Sequence, residues 1–398
     1  MALDLPIADA RARVATELSG VQDEVLALSR NVHANPETSF EEHRAAAWTA
    51  ELLDRHGFAV ARPFGGLETA LEARWSGRPG GAVIALLGEY DALPEIGHGC
   101  GHNLMCSSSA GAAIAAARVA GRDFDGEIRF IGTPAEEAGN GKVYLIEAGA
   151  FKDVDVALQM HPGNETKVDV RALALQEVGL IFHGTAAHAA ADPWNGHNAL
   201  DALIAFFNLV SQWRQHLRPG ERVHGIVTHG GAAPNIIPDE TAAEFIVRSP
   251  IDHRLDELLA RFTTIAESAA ASAGCTVEVR HSRYGRSRTM RSNSVLVEVF
   301  RRNLEAVGWV DEGVRPPGGS TDMGDVSHEV PTIHPHMAVA PAGTPGHSRQ
   351  FSALAGGPDG ERALLAAAHS LARTVLDLLA DPGLVAAALA EFRRGEGG

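Results

Sequence analysis

The run AVIALL, Ala82 to Leu87, is apolar at every position. A strand with one wet face alternates in polarity; one that is apolar throughout is buried on both faces, which requires a sheet covered by helices. Further strand-like runs follow, EIRFIG at 127–132 and VDVALQM at 154–160. Helical stretches separate them, including the small-residue segment SSSAGAAIAAARVA within 104–120. Upstream, residues 8–31 carry Val14, Leu18, Val21, Val25, Leu26 and Leu28 at helical spacing. A second helix is expected from about Glu41 to His56, ending at Gly57, and LETALEARW reads as a strand. This alternation predicts an α/β fold with a mostly parallel central sheet.

The texture changes after about Arg171. LALQEVGLIFHG reads as a strand, followed by helix 197–216, strands 222–228 and 241–248, helix 253–273 and strand 275–281. That βαββαβ order fits a small ferredoxin-like α+β unit. Helix–strand alternation resumes near 293 and closes with helices 361–380 and 383–394. A chain of 398 residues accommodates this as one catalytic domain, 1–172 and 288–398, interrupted by an inserted domain, 173–287.

Charge narrows the partners. Against 34 Lys and Arg stand 50 Asp and Glu, a formal charge of −16, so nucleic acid and anionic membranes would be repelled. Arg280, Arg283, Arg286, Arg288 and Arg291 crowd one segment, as a solvated strand or as a contact for an anionic substrate. Three cysteines, Cys100, Cys106 and Cys275, form no disulfide framework and point to a reducing compartment. The N-terminal segment has early acidic residues and no apolar core of signal-peptide length. No apolar run approaches the roughly 20 residues of a membrane span. A soluble cytoplasmic protein is expected.

In open α/β sheets ligands bind beyond the carboxyl ends of the strands. After AVIALL come Glu89, Asp91, Cys100 and His102; after EIRFIG, Glu136 and Glu137; after VDVALQM, His161; after HMAVAP, His347. A thiolate, imidazoles and a carboxylate are ligands for zinc and its first-row neighbours. The mixed set suits a catalytic site, and five ligands suit two metals rather than one. Consecutive strand residues point to opposite faces, so Glu136 and Glu137 address one site only from an irregular turn, which Pro134 favours. One carboxylate then binds metal and the other takes a proton from the attacking water, as amide hydrolysis requires. Asp91 is expected to hydrogen-bond a ligand imidazole or to bridge. A cysteine nucleophile at Cys100 is the competing reading, but the flanking glycines and His102 suit chelation better. His98 has no assigned role.

The strings GEYDALPEIGHGCGHN, GTPAEEAGNGK, MHPG, HGTAAHAAADPWNGHNALDA, GGAAPNIIPD and GGSTDMGDVSHEVPTIHP resemble the binuclear-metal aminoacylase and carboxypeptidase family. Within it the likeness is to the branch of p-aminobenzoyl-glutamate hydrolase and β-alanyl-lysine dipeptidase. Asn103 after His102, and Glu89 before Tyr90–Asp91, match that branch. The resemblance implies a zinc-peptidase-like catalytic domain interrupted by a lid that dimerises. It implies Cys100, His102, Glu137, His161 and His347 as metal ligands and Glu136 as general base. It brings in His188 as a lid residue that steadies the carbonyl oxygen in the neighbour's site, a role suited to a preorganised donor. Asn235 and Arg248 match positions that grip a substrate carboxylate, with Ser320 and Thr321 as further polar contacts.

The expected activity is metal-dependent hydrolysis of the amide bond in a small N-acyl or β-aminoacyl amino acid or dipeptide. Two divalent ions, zinc or else manganese or cobalt, would serve a cytoplasmic homodimer. A p-aminobenzoyl-glutamate hydrolase-type subunit and a non-catalytic partner subunit of the same fold are the alternatives. The complete ligand set with Glu136 argues against the latter.

Overall fold

The computed structural model describes residues 6–395. The first residues of the segment read as lacking a signal peptide, 1–5, lie outside that range. The chain divides into two units. One runs to Arg171 and is completed by Met290–Pro316 and the chain from Thr321 onward; the other comprises Ala172–Thr289 and Pro317–Ser320.

The first unit is built on a six-stranded sheet in the order Ala59–Ala61, Leu71–Ser76, Asp125–Thr133, Arg78–Glu89, Val156–Leu158, Thr332–Ile333. The last four strands run parallel and the first two pair antiparallel at one edge. Ile84 aligns with both Ile128 and Val156, so the apolar run AVIALL sits mid-sheet. The helix His102–Ala120 packs on that strand and against the helices Gln22–Ala34 and Pro358–Ala380. Its small side chains permit the approach: a Cβ on Gly111 would lie 3.1 Å from Val25.

Several boundaries differ from those expected from periodicity. Residues 8–31 form two helices, Ile7–Ser19 and Gln22–Ala34, because the chain turns at Gly20 and Val21. Within VDVALQM only Val156–Leu158 pairs, and LETALEARW enters the sheet only from Leu71. Pro358–Ala380 is long and apolar enough to cross a membrane, contrary to the hydropathy expectation, yet 72% of its most apolar window is buried in the fold. It is a core helix.

The second unit is a four-stranded antiparallel sheet, Thr276–Ser287, Ala174–His183, Glu240–Ser249, Arg222–His229 in spatial order. The helices Ala199–Trp213 and Asp252–Ser272 cover one face. Phe206 centres the core, with ring centroids 5.0 Å from Phe262 and 5.2 Å from Phe245, both edge-on. Arg222–His229 is an edge strand.

Candidate metal centre

The loop GHGCGHN delivers two donors to one place. Gly101 has φ of +80°, and a Cβ there would lie 2.8 Å from Pro162, so only glycine fits between Cys100 and His102. His102 opens the buried helix His102–Ala120. Asn103 anchors that start, its side-chain amide donating to Ser29 Oγ at 2.9 Å. His98, unassigned by sequence, is buried, contacts the Val32 carbonyl at 3.0 Å and stacks on His33. Burial pushes its pKa down to about 3, which suits packing.

Asp91 organises the next layer. Its Oδ1 lies 2.9 Å from His102 Nδ1, and its Oδ2 accepts from the Glu137 backbone N–H at 2.9 Å. The imidazole therefore presents Nε2 inward, the arrangement that orients metal-binding histidines. Nε2 stands 3.2 Å from Glu89 Oε2, 3.9 Å from Glu137 Oε1 and 4.0 Å from Glu136 Oε2. Nε2, Glu89 Oε2 and Glu137 Oε1 are all buried without hydrogen-bond partners. Burial opposes charge on His102, yet Asp91 and Glu89 outweigh it and hold its pKa well above the ordinary value. The spot calls for a cation.

Glu136 and Glu137 follow the strand Asp125–Thr133 through a sharp turn in which Ala135 has φ of +60°. Buried Glu42 holds that turn, its Oε1 accepting from the Ala135 N–H at 2.8 Å. Strand alternation has ended there, and both carboxylates face the same centre. Burial, then Glu89 and Glu137, push the Glu136 pKa well up. His161 closes one side, its Nε2 3.4 Å from Cys100 Sγ. His347 closes another, with Nε2 3.6 Å from Glu137 Oε2 and its backbone N–H bonded to Gly99 O at 3.0 Å.

Three sets of donors each fall within 4.8 Å of one another: Cys100, His102 and His161; Cys100, Glu137 and His347; Glu89, His102 and Glu136. All five sequence-expected ligands belong to the first two. Sequence reasoning missed what lies behind them. Lys142 is fully buried, with Nζ 2.5 Å from Glu89 Oε1 and 2.6 Å from Asp322 Oδ1. His334 and His336 crowd His161, the latter stacked on it at 4.6 Å. Lys142 and Asp322 sit inside the strings GNGK and STDMG, so a charged residue amid glycines was the available signal.

The inserted unit holds the remaining expected residues. Ala189 N–H donates to Asn235 O at 3.0 Å, and His188 forms a bridge with Ile236, which ties the His188 and Asn235 loops together. His188 Nδ1 accepts from the Ala190 and Ala191 N–H groups at 3.2 and 3.1 Å. Its Nε2 therefore carries the proton and is a donor. Arg248 Nη1 donates to Ser320 Oγ at 2.7 Å. Thr321 belongs to the first unit, its hydroxyl accepting from Met323 N–H at 3.2 Å.

A family model described as peptidase family M20/M25/M40 matches residues 85–377. The chain is 35% identical over 396 residues to the Xaa-Arg dipeptidase of Mus musculus, covering 96% of this chain and 91% of that protein. It is 30% identical over 434 residues to a p-aminobenzoyl-glutamate hydrolase chain of Escherichia coli, covering 90% and 89%. Among solved structures, a dinuclear metal binding peptidase of Bacillus subtilis shares the fold with a TM-score of 0.70 at 21% identity, covering 91% of this chain and 99% of that one. The aminobenzoyl-glutamate utilization protein of Klebsiella pneumoniae gives 0.70 at 18% identity, covering 92% and 98%. With most of the chain matched and the donor cluster assembled at the strand ends, this protein belongs to peptidase family M20/M25/M40.

Proposed function

We propose that the chain hydrolyses the amide bond of a dipeptide or small N-acyl or β-aminoacyl amino acid, with two divalent cations held around Cys100. The observation that carries this reading is the set of buried donors that face one another without hydrogen-bond partners beside Glu136. Cys100, His102 and His161 would hold one cation; Cys100, Glu137 and His347 the other. Charge supports bound cations: the carboxylates of Glu89, Asp91, Glu136, Glu137 and Asp322 gather here against one ammonium, Lys142, a surplus of acidic groups that divalent ions suit. The sulfur, nitrogen and oxygen donors favour zinc, with manganese or cobalt as the other choices.

When bound, the cations supply Lewis acidity toward the carbonyl and toward water. Glu136, its carboxyl pushed up by burial and then by neighbouring carboxylates, takes the proton of the attacking water and returns it to the leaving nitrogen. Asp91 keeps His102 in the tautomer that presents Nε2. His188 Nε2–H, in a second copy of the chain, donates to the carbonyl oxygen. Asn235 and Arg248 bind the substrate carboxylate, with Ser320 steadying the guanidinium and Thr321 adding a hydroxyl. The homodimer forms through the inserted unit, whose edge strand exposes Ile226 (64%) and Val227 (49%). Three free cysteines fit a cytoplasmic setting. A dipeptide of the Xaa-Arg kind or p-aminobenzoyl-glutamate, the substrates for which two relatives are named, would each offer those residues a free carboxylate.

The test is a panel of dipeptides, p-aminobenzoyl-glutamate and N-acetyl amino acids, with metal analysis on the same preparations. Glu136→Gln is expected to keep about two metal equivalents and lose about 10²–10⁴-fold in turnover. An active variant would refute Glu136 as the base. A metal-replete wild type that turned over none of the panel would refute the amidohydrolase reading.

A further inference from the structure

Arg315 lies in the metal-bearing unit, its backbone fixed by Arg315 N–H to Asp169 O at 2.8 Å and Arg171 N–H to Arg315 O at 3.3 Å. Its side chain is half-buried, and burial lowers its pKa. A guanidinium in that position ordinarily meets carboxylates. Arg129 of the same unit does so, bonding Glu127, Asp153 and Glu72. Arg315 does not. Its Nη1 contacts the imidazole of His336, and no carboxylate of the described residues lies within ion-pair distance. Glu165 and Cys100 act on it only from farther away.

His336 cannot supply the missing charge. It is buried, and an imidazole is either neutral or cationic, never an anion. That ring stacks on His161 at 4.6 Å with 16° between planes, and His161 Nε2 is 3.4 Å from Cys100 Sγ. Arg315 is thus one imidazole removed from a ligand of the metal centre. Beside it His334 is buried with Nδ1 unpaired, its ring 5.7 Å from His336. An unpaired half-buried cation is costly, and a guanidinium has five N–H donors of which His336 uses few. Its planar fork matches a carboxylate.

We propose that Arg315 is a specificity-determining residue that binds a carboxylate of the substrate within the metal-bearing unit. This rests on the amidohydrolase reading above and adds a second carboxylate-binding cation to Arg248. It makes acidic substrates, those with a side-chain carboxylate besides the terminal one, the favoured class.

The experiment uses metal-loaded wild type, Arg315→Gln and Arg315→Lys with matched substrates that differ only by carboxylate or carboxamide. The pairs vary the terminal position and, in an acyl-glutamate, the side-chain position. Arg315→Gln should lose about 10- to 100-fold in kcat/KM on the acid of one pair, mainly through KM, and less than about twofold on its carboxamide. Arg315→Lys should recover part of the loss. Calorimetric titration with free glutamate, independent of turnover, should show the same weakening. The proposal is overturned if acid and carboxamide fall together at both positions, or if Arg315→Gln loses metal, since Arg315 would then serve only to position His336 and His161. A wild type inactive on every amide fails the underlying reading before the variants are compared.

Discussion

Replacing Lys142 by methionine tests the charge logic of the centre. The side chain is wholly buried, as are Glu89 and Asp322, and its ammonium bonds them at 2.5 and 2.6 Å. Asp322 also accepts from the Lys142 N–H at 3.0 Å, which the substitution preserves. Methionine has similar length and no charge, so two carboxylates are left buried without their cation. Removing one partner of a buried ion pair costs about 3–5 kcal/mol. The two pairs share one ammonium and do not add. At about 2 °C per kcal/mol for a unit of this size, melting should fall by roughly 6–10 °C. The assay is thermal unfolding of chelator-treated protein at pH 8 and again at pH 5.5. Without Lys142, burial raises the pKa of both carboxyls above their unfolded values, so the folded state gains protons as pH falls and the deficit shrinks. Metal restores part of the loss for the same electrostatic reason. Adding Glu89→Gln and Asp322→Asn to Lys142→Met should recover much of the stability. A single variant within about 2 °C of wild type at pH 8, or a triple variant no better than the single, would show that this network does not hold the centre together.

His188→Ala and Glu136→Gln should each be inactive, yet each mixed dimer should keep one of its two sites intact, about a quarter of all sites after equal mixing. No recovery in dimers verified as mixed would exclude action across the dimer. Glu42 has its carboxyl pushed up to about 7 by burial and then by Asp91, against 4.5 unfolded. Its folded pKa is raised, so its contribution to stability is complete below about pH 4.5 and lost as pH rises through about 7. Glu42→Gln keeps an acceptor for Ala135 and should flatten that dependence, gaining up to about 3 kcal/mol at pH 8 and nothing at pH 4.5. Chelator-treated melts across that range would show it.

The histidine pair and Lys142 mark where sequence reading ran short. His334 and His336 stand among prolines with no helical or strand period to place them, and only parallel pairing of His336 with His161 brings them to the centre. Lys142 follows a glycine-rich stretch and lies in the first turn of the helix Gly141–Glu147, where a lysine is ordinarily solvated, and its burial depends on Asp322, 180 residues away. The helix pair within 8–31 was missed for a different reason: two amphipathic helices in succession share one apolar periodicity, and the turn at Gly20 leaves it nearly in phase.

By itself the sequence determined the α/β class, the βαββαβ insertion, and the donor types standing after each strand, because these follow from periodicity and from local order along the chain. It also set GHGCGHN as a tight loop, since Gly101 must adopt a backbone conformation that side chains resist. Only the tertiary structure decided which nitrogen of His102 faces inward, which carboxylate oxygens remain unpaired, and that Arg315 is a half-buried cation with no carboxylate partner among the described residues. Those are properties of partners drawn from distant segments, and hydrogen-bond geometry and local charge exist only once the fold has brought the segments together.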